Sequence, residues 1–592
     1  MRRSWLVMPL ALVCASSAGC ASVPMPSRVV SGRPASQAQQ AEEPYVRLIP
    51  VGPGRDWTPN QIVSGFLTAS GSFDDQHKVA REYLAPNVKW TPDPSPQVTI
   101  YSSDEPSLDT SNGSIQGNEG SVEVKGQTLG TISPDGQYKA EPVQQPLDQF
   151  FQLQKNGQGQ WRITGLPTLL EQGLLLSDTD EMRTFRTRNL YYFAPDGQKL
   201  VPNPIYLPLL NRTDLPGQIV RAELNGPTEW LKDAVVSSFP VGTKLLSPVE
   251  VGGDGTATVN LSRQAAGGNK TGMYAQLMWA LSQLPEVKRL RLEIAGTDVD
   301  MSAEDWSVYN PNRPAAGSAV TAFFRDAEGH VWELTGGGVT RIQTLANVRM
   351  YNLAVSPDRY GYIAGLSAKS TQLLTADPAQ ADSARVILTA APGATFGQPS
   401  WDRHGNLWVV ESTAKESTLW YKEPKKDPVK VSVWELGDRP VSAFRVAPDG
   451  VRVAAIGSNP ADSSSIQIML GRITRDRLGQ PKVDNFLPIS SRFTDIADFG
   501  WASASDLVVL GSQQKSTSPQ PYDVPISGGQ AAVIGIAPPV SSKTITAAPG
   551  QQVLIGALDK DDKPVLCRNT ADPYSEWDCS TVGNGAEPAY PG

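Results

Sequence analysis

The chain has few of the residues from which metal centres and hydrolytic active sites are built. Its 592 residues include three histidines, His77, His330 and His404, and four cysteines. A zinc site needs several nitrogen or sulfur ligands close together, and a Ser–His–Asp arrangement needs a histidine as its base. No Gly-x-Ser-x-Gly sequence occurs, and each histidine is interpreted as a structural residue, with His77 facing solvent. We therefore predict that the protein is not an enzyme and has no catalytic residue, no metal site and no cofactor.

Charge is also sparse. Charged residues make up 19% of the chain and the formal net charge is −8, which speaks against a nucleic-acid partner. Aromatic residues make up only 7%, whereas the 52 glycines and 49 prolines indicate many turns. Beyond residue 20 no apolar run is long enough to form a transmembrane helix. A chain of this length exceeds a single core and predicts about three domains.

Residues 1–19 have the features of a signal peptide. Two arginines begin it, an apolar run follows, and Ser17-Ala18-Gly19 are the small residues expected beside a cleavage site. Cys20 follows at once, which is typical of a lipoprotein that is cleaved between Gly19 and Cys20 and acylated on Cys20. Two or three acyl chains hold a protein stably on a membrane, since each buried CH₂ contributes about 0.8 kcal/mol. We predict lipid anchoring at the extracytoplasmic face of the cell membrane.

One residue of this leader departs from the commonest pattern. Ser17 stands where leucine is more usual in a lipoprotein signal. The alternative interpretation is therefore an ordinary secretory signal, which would release the same exported body without a lipid.

The remaining cysteines indicate an oxidising environment. Cys14 leaves with the signal peptide, and Cys567 and Cys579 lie twelve positions apart near the C-terminus. We predict a disulfide between Cys567 and Cys579, which would stabilise the fold by about 3 kcal/mol through loop entropy. The alternative, a zinc site, lacks partner ligands nearby in the sequence.

The sequence before the first predicted helix is rich in Ser, Pro, Gln and Ala. Residues 20–44 have neither helical nor strand periodicity and predict a flexible tether. Thr58-Pro59-Asn60-Gln61 then forms a capping box that begins an amphipathic helix. A short second helix and a series of strands separated by turns follow. Helices before a meander predict an α+β domain over residues 45–185.

A second small α+β domain is predicted over residues 186–300. Gly252-Gly253-Asp254-Gly255 separates two strands and predicts a hairpin. A helix with Met273, Leu277 and Leu281 on one face leads into a strand in which apolar and charged residues alternate at 289–294. Residues 310–314, rich in Asn and Pro, predict a linker.

The last part of the chain repeats. Five segments share a Pro/Asp/Gly-rich turn followed by an apolar strand, and successive copies end 45 to 54 residues apart. A weaker sixth copy, FFRDAEGHVWELTGG, precedes them and ends at Gly337. A period in the mid-forties made of strands and turns is typical of a propeller with four strands per blade. We predict an all-β propeller of about six blades over residues 318–592, with five or seven as alternatives.

Several other patterns are partly similar to ligand-binding motifs but are interpreted as structural. The segment 267–271 has glycines before a lysine but lacks phosphate-loop spacing, so it is interpreted as a helix cap. Two acidic clusters, at residues 298–305 and 559–562, lack the glycine of an EF-hand and are interpreted as solvated loops. The repeats also contain tryptophans that would either line a sugar-binding surface or pack between blades, and packing is favoured: Trp401, Trp408, Trp420, Trp434 and Trp501.

The order of these parts resembles the LpqB family of actinobacterial lipoproteins. The segment PNQIVSGFLTASGSFDDQHKVAREYLAP is similar to the opening helices of that family, and GQWRITGLP to the end of its first domain. LYYFAPDGQKLVPNPIYLPL and MYAQLMWALSQLPEVKRLRLEIAG are similar to a GerMN (sporulation and germination) domain. The resemblance covers nearly the whole mature chain and is mostly architectural in the propeller.

The resemblance implies a function that composition does not show. Proteins of this family are thought to act outside the membrane with the sensor kinase MtrB, and so to modulate the response regulator MtrA, envelope homeostasis and division. The implied partners are the extracellular domain of an MtrB-like kinase and the membrane itself, and the family offers no catalytic residue to transfer. The alternatives are a peptidoglycan- or peptide-binding protein and, less favoured, an envelope-remodelling enzyme.

Overall fold

The computed structural model describes most of the chain after the leader. It covers residues 50–592 except for residues 93–95, 104–112, 172, 210–213, 314–319, 336–337, 358–361, 434–439, 459–465, 491, 514–517, 537, 539, 570–576 and 580–584. The predicted signal peptide, its cleavage site after Gly19, the lipidation site Cys20, the predicted tether and Trp434 lie outside the described residues.

The N-terminal domain packs helices on one six-stranded sheet. Its elements are α1 (Pro59–Ser70), α2 (Lys78–Arg81), β1 (Gln97–Tyr101), β2 (Gly113–Gln116), β3 (Glu119–Ile132), β4 (Tyr138–Lys155), β5 (Trp161–Gly165), β6 (Gly173–Ser177) and α3 (Asp178–Thr184). The strand order is β5-β4-β3-β1-β6, with β2 beside β3 and with β1 and β6 parallel. The predicted capping box begins α1, since Thr58 and Gln61 each accept a backbone hydrogen bond from the other.

Two features of this domain differ from the prediction. The segments 138–141 and 150–155, predicted as separate strands, are the two ends of the single strand β4, which pairs with β3 along most of its length. His77, predicted to face solvent, is 1% exposed. Its ring centroid lies 4.7 Å from that of Phe73 and 5.3 Å from that of Trp90. The left-handed backbone at His77 (φ 59°) directs the chain into α2 and the ring into the core.

The second domain combines a long hairpin with a small mixed sheet. Its elements are β7 (Phe185–Phe193), β8 (Leu200–Pro208), α4 (Leu215–Asn225), β9 (Glu250–Val251), β10 (Thr256–Leu261), α5 (Lys270–Leu281), β11 (Arg289–Ile294), β12 (Thr297–Asp298) and α6 (Ala303–Ser307). The sheet order is β12-β11-β10-β9, and α5 connects the parallel strands β10 and β11. Asn269 caps α5 by accepting a hydrogen bond from the Gly272 N–H at 3.1 Å, which confirms the predicted cap.

A carboxyl group lies in the core of this domain. Glu223, on α4, is 0% exposed. Its Oε1 accepts a hydrogen bond from Gln276 Nε2 at 2.9 Å and its Oε2 accepts one from the Tyr191 N–H at 3.1 Å. Burial outweighs these hydrogen bonds and raises the pKa of Glu223 to about 8. The side chain therefore joins α4, α5 and β7 around a carboxyl group whose neutral form is favoured by burial.

The C-terminal domain is a ring of six blades, so the predicted number of blades is confirmed among the described residues. Four blades are separate four-stranded sheets, whereas blades 3 and 4 form one nine-stranded sheet through a short parallel pairing of their outermost strands. Neighbouring innermost strands contact one another around the ring. The strands are β13 (Ala322–Arg325), β14 (Val331–Thr335) and β15 (Gly338–Arg341) in blade 1; β16 (Tyr351–Val355), β17 (Ile363–Leu366), β18 (Gln372–Ala376) and β19 (Arg385–Thr389) in blade 2; β20 (Thr395–Phe396), β21 (Ser400–Trp401), β22 (Leu407–Ser412), β23 (Ser417–Lys422) and β24 (Val429–Val433) in blade 3; β25 (Val441–Val446), β26 (Arg452–Ser458), β27 (Ile466–Arg475) and β28 (Pro481–Pro488) in blade 4; β29 (Asp495–Trp501), β30 (Asp506–Ser512), β31 (Gln520–Pro525) and β32 (Ala532–Val533) in blade 5; β33 (Ser541–Thr546), β34 (Leu554–Leu558), β35 (Pro564–Asn569) and β36 (Trp577–Asp578) in blade 6; and β37 (Ala586–Ala589), which returns to blade 1.

The end of the chain closes the ring. Strand β37 pairs with β13 and supplies the innermost strand of blade 1. Glu587 of β37 accepts a hydrogen bond from Arg325 at 2.7 Å, and both side chains are 16% exposed. The structure joins Cys567 and Cys579 by a disulfide in blade 6, directly before this closing strand. The disulfide therefore lies in the blade before the one that closes the ring. The ring itself is closed by the backbone hydrogen bonds between β37 and β13.

The turns that produced the sequence repeat have a common chemistry. Asp326, Asp402 and Asp449 occupy the turns β13–β14, β21–β22 and β25–β26 of blades 1, 3 and 4, and each carboxylate accepts at least one nearby backbone N–H. In blades 1 and 3 it also accepts the indole N–H of Trp332 or Trp408, at 3.1 Å in both cases. Each turn thus fixes the start of the strand that follows it.

The predicted fold class, two small α+β domains followed by an all-β propeller, is confirmed. Within the part of the chain that the structure describes, none of the helices has both the length and the apolar character needed to cross a bilayer.

The buried carboxyl group makes a pH-dependent contribution to stability. Its pKa is about 8 in the folded chain and near 4.5 when unfolded, so between these values the folded state binds the extra proton. The free energy of unfolding should therefore fall as pH rises from about 4.5 to 8, by at most about 1.4 kcal/mol per pH unit. Glu223→Gln should remove this contribution and gain stability relative to the parent as pH rises. Urea unfolding at several pH values measures the difference.

The exposed Glu250 in the same domain provides the matched control. The change in stability caused by Glu223→Gln should vary more strongly with pH than the change caused by Glu250→Gln. A constant difference between parent and Glu223→Gln over this pH range would contradict the assignment.

Candidate functional site at the mouth of the propeller channel

A buried ion pair joins the second domain to the propeller. Arg452 and Asp449 are both 0% exposed, and the guanidinium donates to Asp449 Oδ2 from Nε at 2.8 Å and from Nη2 at 2.6 Å. Its Nη1 donates to the carbonyl of Pro202 in β8 at 3.1 Å, and Nη2 also donates to the carbonyl of Ala504 in blade 5. One side chain therefore holds the β7–β8 hairpin against two blades.

The tip of the same hairpin makes a second ionic contact. Asp196, in the turn between β7 and β8, accepts a hydrogen bond from Arg403 and lies 3.4 Å from Nε2 of His404. Hydrogen bonds from the Gln198 N–H and Arg403, with the nearby cationic charge, lower the pKa of Asp196 despite its partial burial. The hairpin tip is thereby positioned over blade 3.

Apolar packing and further polar contacts extend the junction. One cluster of buried side chains runs from the second domain into blades 4 and 5. Trp230 Nε1 donates to the carbonyl of Asn485 at 2.6 Å, and Arg472 Nη1 donates to the carbonyl of Trp230 at 2.8 Å. In the linker, Asn312 Oδ1 accepts the N–H of Ala504 at 2.8 Å. The second domain and the propeller therefore share one core.

The N-terminal domain contacts both of its neighbours. Tyr138 stacks on Tyr206 of β8 with ring centroids 5.6 Å apart, and Thr228 donates to Gln137 Oε1 at 3.0 Å. Arg492 of the propeller pairs with Asp178 of α3. Strand β8 thus contacts the N-terminal domain through Tyr206 and the propeller through Pro202.

These contacts enclose a cavity of about 340 Å³ at one mouth of the propeller channel. Its volume falls within the range of roughly 300–1,000 Å³ typical of small-molecule sites. It shares wall residues with the narrower channel between the blades, among them Val446, Pro448 and Pro549. The rest of its wall comes from the β7–β8 turn, the segment around the linker, and residues of blades 2 and 3 that include Trp401. The described side chains that line it are mostly apolar, with Gln198, Lys199, Arg313 and Arg403 as the polar members.

The polar members of this wall are predominantly cationic. Lys199 Nζ donates to two neutral groups, the carbonyls of Asn310 at 3.1 Å and Arg313 at 2.9 Å. Burial, together with the positive charges of Arg403 and Arg313, lowers the pKa of Lys199 to about 8, although Asp449 opposes the shift. The cavity therefore combines apolar walls with a cluster of positive charge, which suits an anionic group.

The structure uses the three histidines in packing and turns. His77 lies in the N-terminal core, as described above. His330 Nδ1 lies 2.7 Å from Asp326 Oδ2 within a blade turn, and His404 lies beside Asp196 at the domain junction. Asp326, Glu328 and His330 place ligand-type atoms within 4.8 Å of one another. The Asp326 carboxylate is already engaged by three groups of its own turn, so this cluster is accounted for as turn structure.

The first acidic cluster, predicted as a solvated loop, lies partly in regular structure, because Asp298 ends β12 and Asp305 belongs to α6. In the first acidic cluster, Asp298 pairs with Arg291 at 2.7 Å and Asp305 caps α6. In the second, Asp559 accepts backbone N–H groups of its own turn. Of the tryptophans within the described residues, Trp401, Trp408 and Trp501 are buried between strands, and Trp420 is half-buried with its indole donating to Glu411.

Sequence reasoning did not find the residues that build this junction. Arg452, Lys199, Arg313 and Arg403 are far apart in the chain and belong to no motif. The one available signal was the Pro-Asp-Gly turn at 448–450, which marks Asp449 as a blade-turn aspartate but does not show that the arginine beside it reaches another domain.

Sequence comparison assigns the same three modules. Residues 52–181 match the family described as Lipoprotein LpqB, N-terminal domain, and residues 329–591 match the Lipoprotein LpqB beta-propeller domain. Residues 189–300 match the domain described as Sporulation and spore germination. The chain is thus a lipoprotein of the class that joins a GerMN-type domain to a C-terminal propeller.

Relatives match over almost the full length. The Lipoprotein LpqB of Thermobifida fusca is 31% identical and the alignment covers 97% of each chain. That of Streptomyces coelicolor is 28% identical over 97% of this chain and 96% of its own. The chain belongs to the LpqB family of lipoproteins, as its sequence resemblance predicted.

Solved structures give weaker matches. Tandem GerMN domains of GerM from Bacillus subtilis match with a TM-score of 0.18 and 19% identity, over 25% of this chain and 59% of that one. TolB from Acinetobacter baumannii matches with a TM-score of 0.35 and 14% identity, over 46% of this chain and 66% of that one. Scores this low carry no argument about function.

The junction predicts a large effect of one substitution. Arg452→Met would leave the Asp449 carboxylate buried without its guanidinium partner, which costs about 3–5 kcal/mol. We expect a lower urea midpoint for the propeller and second domain, followed by tryptophan fluorescence. Adding Asp449→Asn should recover part of the loss, because the two side chains interact directly.

The exposed Arg349→Met provides a comparison in the same propeller. If Arg452→Met were no more destabilising than this surface change, the buried pair would not hold the junction.

Proposed function

We propose that this protein is a lipid-anchored, extracytoplasmic accessory protein that binds the extracellular domain of a membrane sensor kinase of the MtrB type. It would act by contact and not by catalysis, and would modulate signalling through an MtrA-like response regulator in envelope homeostasis and division. The observation that carries the proposal is the shared core of the second domain and the propeller, with Arg452 and Asp449 buried at its edge. Such a body presents a wide surface of fixed shape.

The arrangement of ionisable side chains supports a non-enzymatic role. Among the described residues, the three histidines lie in a core, a blade turn and a domain contact. The buried Glu223 is surrounded by side chains and backbone of its own domain. A general base must reach a substrate proton within hydrogen-bond distance, and these groups are committed to structural contacts instead.

The proposed anchor adds to the binding argument. Acylation of Cys20 would confine the body to the membrane surface on which a sensor kinase also lies. Confinement of two partners to one surface raises their effective concentration without any new contact. A modest intrinsic affinity for the kinase would then suffice for association.

The anchor is tested by labelling. Cells that express the chain are grown with an alkyne-bearing fatty acid, and the protein is recovered and coupled to a fluorophore. The parent should be labelled and recovered with membranes, whereas Cys20→Ala should lose both properties. A Ser17→Ala variant, which leaves the acceptor in place, is the control. Label retained by Cys20→Ala would contradict acylation at this residue.

The partner is tested by cross-linking in cells. A photoreactive amino acid is placed at two solvent-exposed apolar tips, Val241 in the second domain and Leu478 in the hairpin of blade 4, which are 102% and 85% exposed. Mass spectrometry should identify an MtrB-type sensor kinase in the adduct from at least one position. The Cys20→Ala background should lower the yield severalfold, because it removes the proposed confinement.

A second assay, combined with the cross-linking, tests the alternative binding function. Purified peptidoglycan is incubated with the protein in high salt. Retention on peptidoglycan together with the absence of kinase adducts would replace the proposal with a wall-binding function. Kinase adducts without such retention support the proposal.

A further inference from the structure

The cavity at the channel mouth has walls of two kinds. Four prolines and an indole belong to its lining: Pro357, Pro448, Pro549, Pro591 and Trp401. Proline has no backbone N–H and a fixed φ, so this part of the lining offers few hydrogen-bond donors and is conformationally restricted. An apolar group that packs against these residues would be removed from water, and no polar atom would be buried without a hydrogen-bond partner.

The lining also carries positive charge, part of which has no carboxylate partner among the described residues. Arg403 is paired with Asp196, and Asp449 is committed to Arg452. The Lys199 ammonium donates to carbonyls, which carry no charge. Arg313 is exposed at the rim, and within the described part of the chain its guanidinium forms no ion pair. Two of the three cations therefore lack a carboxylate partner among the described residues.

This combination defines a ligand by its chemistry. We propose that the cavity binds a small amphiphilic anion, with a carboxylate or phosphate head between Lys199 and Arg313 and an apolar body against Trp401 and the prolines. A volume of about 340 Å³ holds a group of on the order of ten water molecules in size. Arginine is suited to either head group, since its planar guanidinium can donate two parallel hydrogen bonds to a carboxylate or a phosphate.

The position of the site gives the ligand three separate contacts. Lys199 belongs to the second domain, Arg313 to the linker, and Trp401 to blade 3. A ligand in the cavity would bridge these parts and close the channel mouth. This inference stands apart from the proposed kinase contact, which involves the outer surface.

The test uses four probes that share one apolar body and differ in the head group. Hexanoate, hexyl phosphate, hexanol and hexylammonium are titrated into the full chain carrying Cys20→Ala, which avoids lipid and detergent, and binding is followed by isothermal calorimetry and saturation-transfer NMR. At least one of the two anions should bind saturably and about tenfold more tightly than hexanol and hexylammonium, as expected for a charge-assisted contact. Preference for hexanoate or for hexyl phosphate identifies the head group.

Substitutions locate the binding. Arg313→Gln removes a rim cation without breaking an ion pair between described residues, and should weaken anion binding about fivefold to tenfold. Arg385→Gln, an exposed arginine on the outermost strand of blade 2, should leave it unchanged. Thermal unfolding should be the same for both variants. Anions that bind no better than hexanol, or an Arg313→Gln variant that binds as Arg385→Gln does, would overturn the proposal.

Discussion

The position of the β7–β8 hairpin depends on the side chain of Arg452. Its guanidinium contacts the blade 4 turn through Asp449, the hairpin through Pro202 and blade 5 through Ala504, all away from water. A buried cation is stable only when its donors are engaged, because desolvation is costly. Displacing the hairpin would leave a donor unpaired and separate an apolar core. The hairpin is therefore held over one mouth of the channel, and the cavity there is a consequence of this constraint.

The same hairpin explains how three modules form one body. Phe185 and Tyr206 pack in the core of the N-terminal domain, whereas Leu190 and Ile205 belong to the core that continues into blades 4 and 5. Its two strands thus cross the boundary between two hydrophobic clusters. The N-terminal domain meets the propeller through polar contacts such as Arg492 with Asp178. Apolar burial stabilises in proportion to area, so the junction of the second domain with the propeller is the stronger of the two.

Local signals in the sequence were sufficient for most elements and for the number of blades. The Thr58–Gln61 capping box and the recurring Asp-Gly turns act over a few residues, so they can be recognised without the fold. His77 was misplaced because a left-handed backbone, and not its polar neighbours, directs the ring inward. The cavity was not predictable, since Lys199 and Arg403 meet only after the ring closes. Contacts between charged residues that are distant in the sequence leave no local pattern. The site therefore could not be predicted from the sequence and is visible only in the folded structure.

Under the proposed function the protein influences its partner through binding, and any ligand acts through its differential affinity for two states. Here Arg452 opposes movement of the hairpin, so a ligand beside Lys199 has little freedom to change the arrangement of the modules. Its effect would come from neutralising positive charge at the rim and from filling the mouth. Partner association depends on charge complementarity. An anion at Arg313 would therefore alter how an acidic or basic surface approaches this end of the propeller while the scaffold stays unchanged.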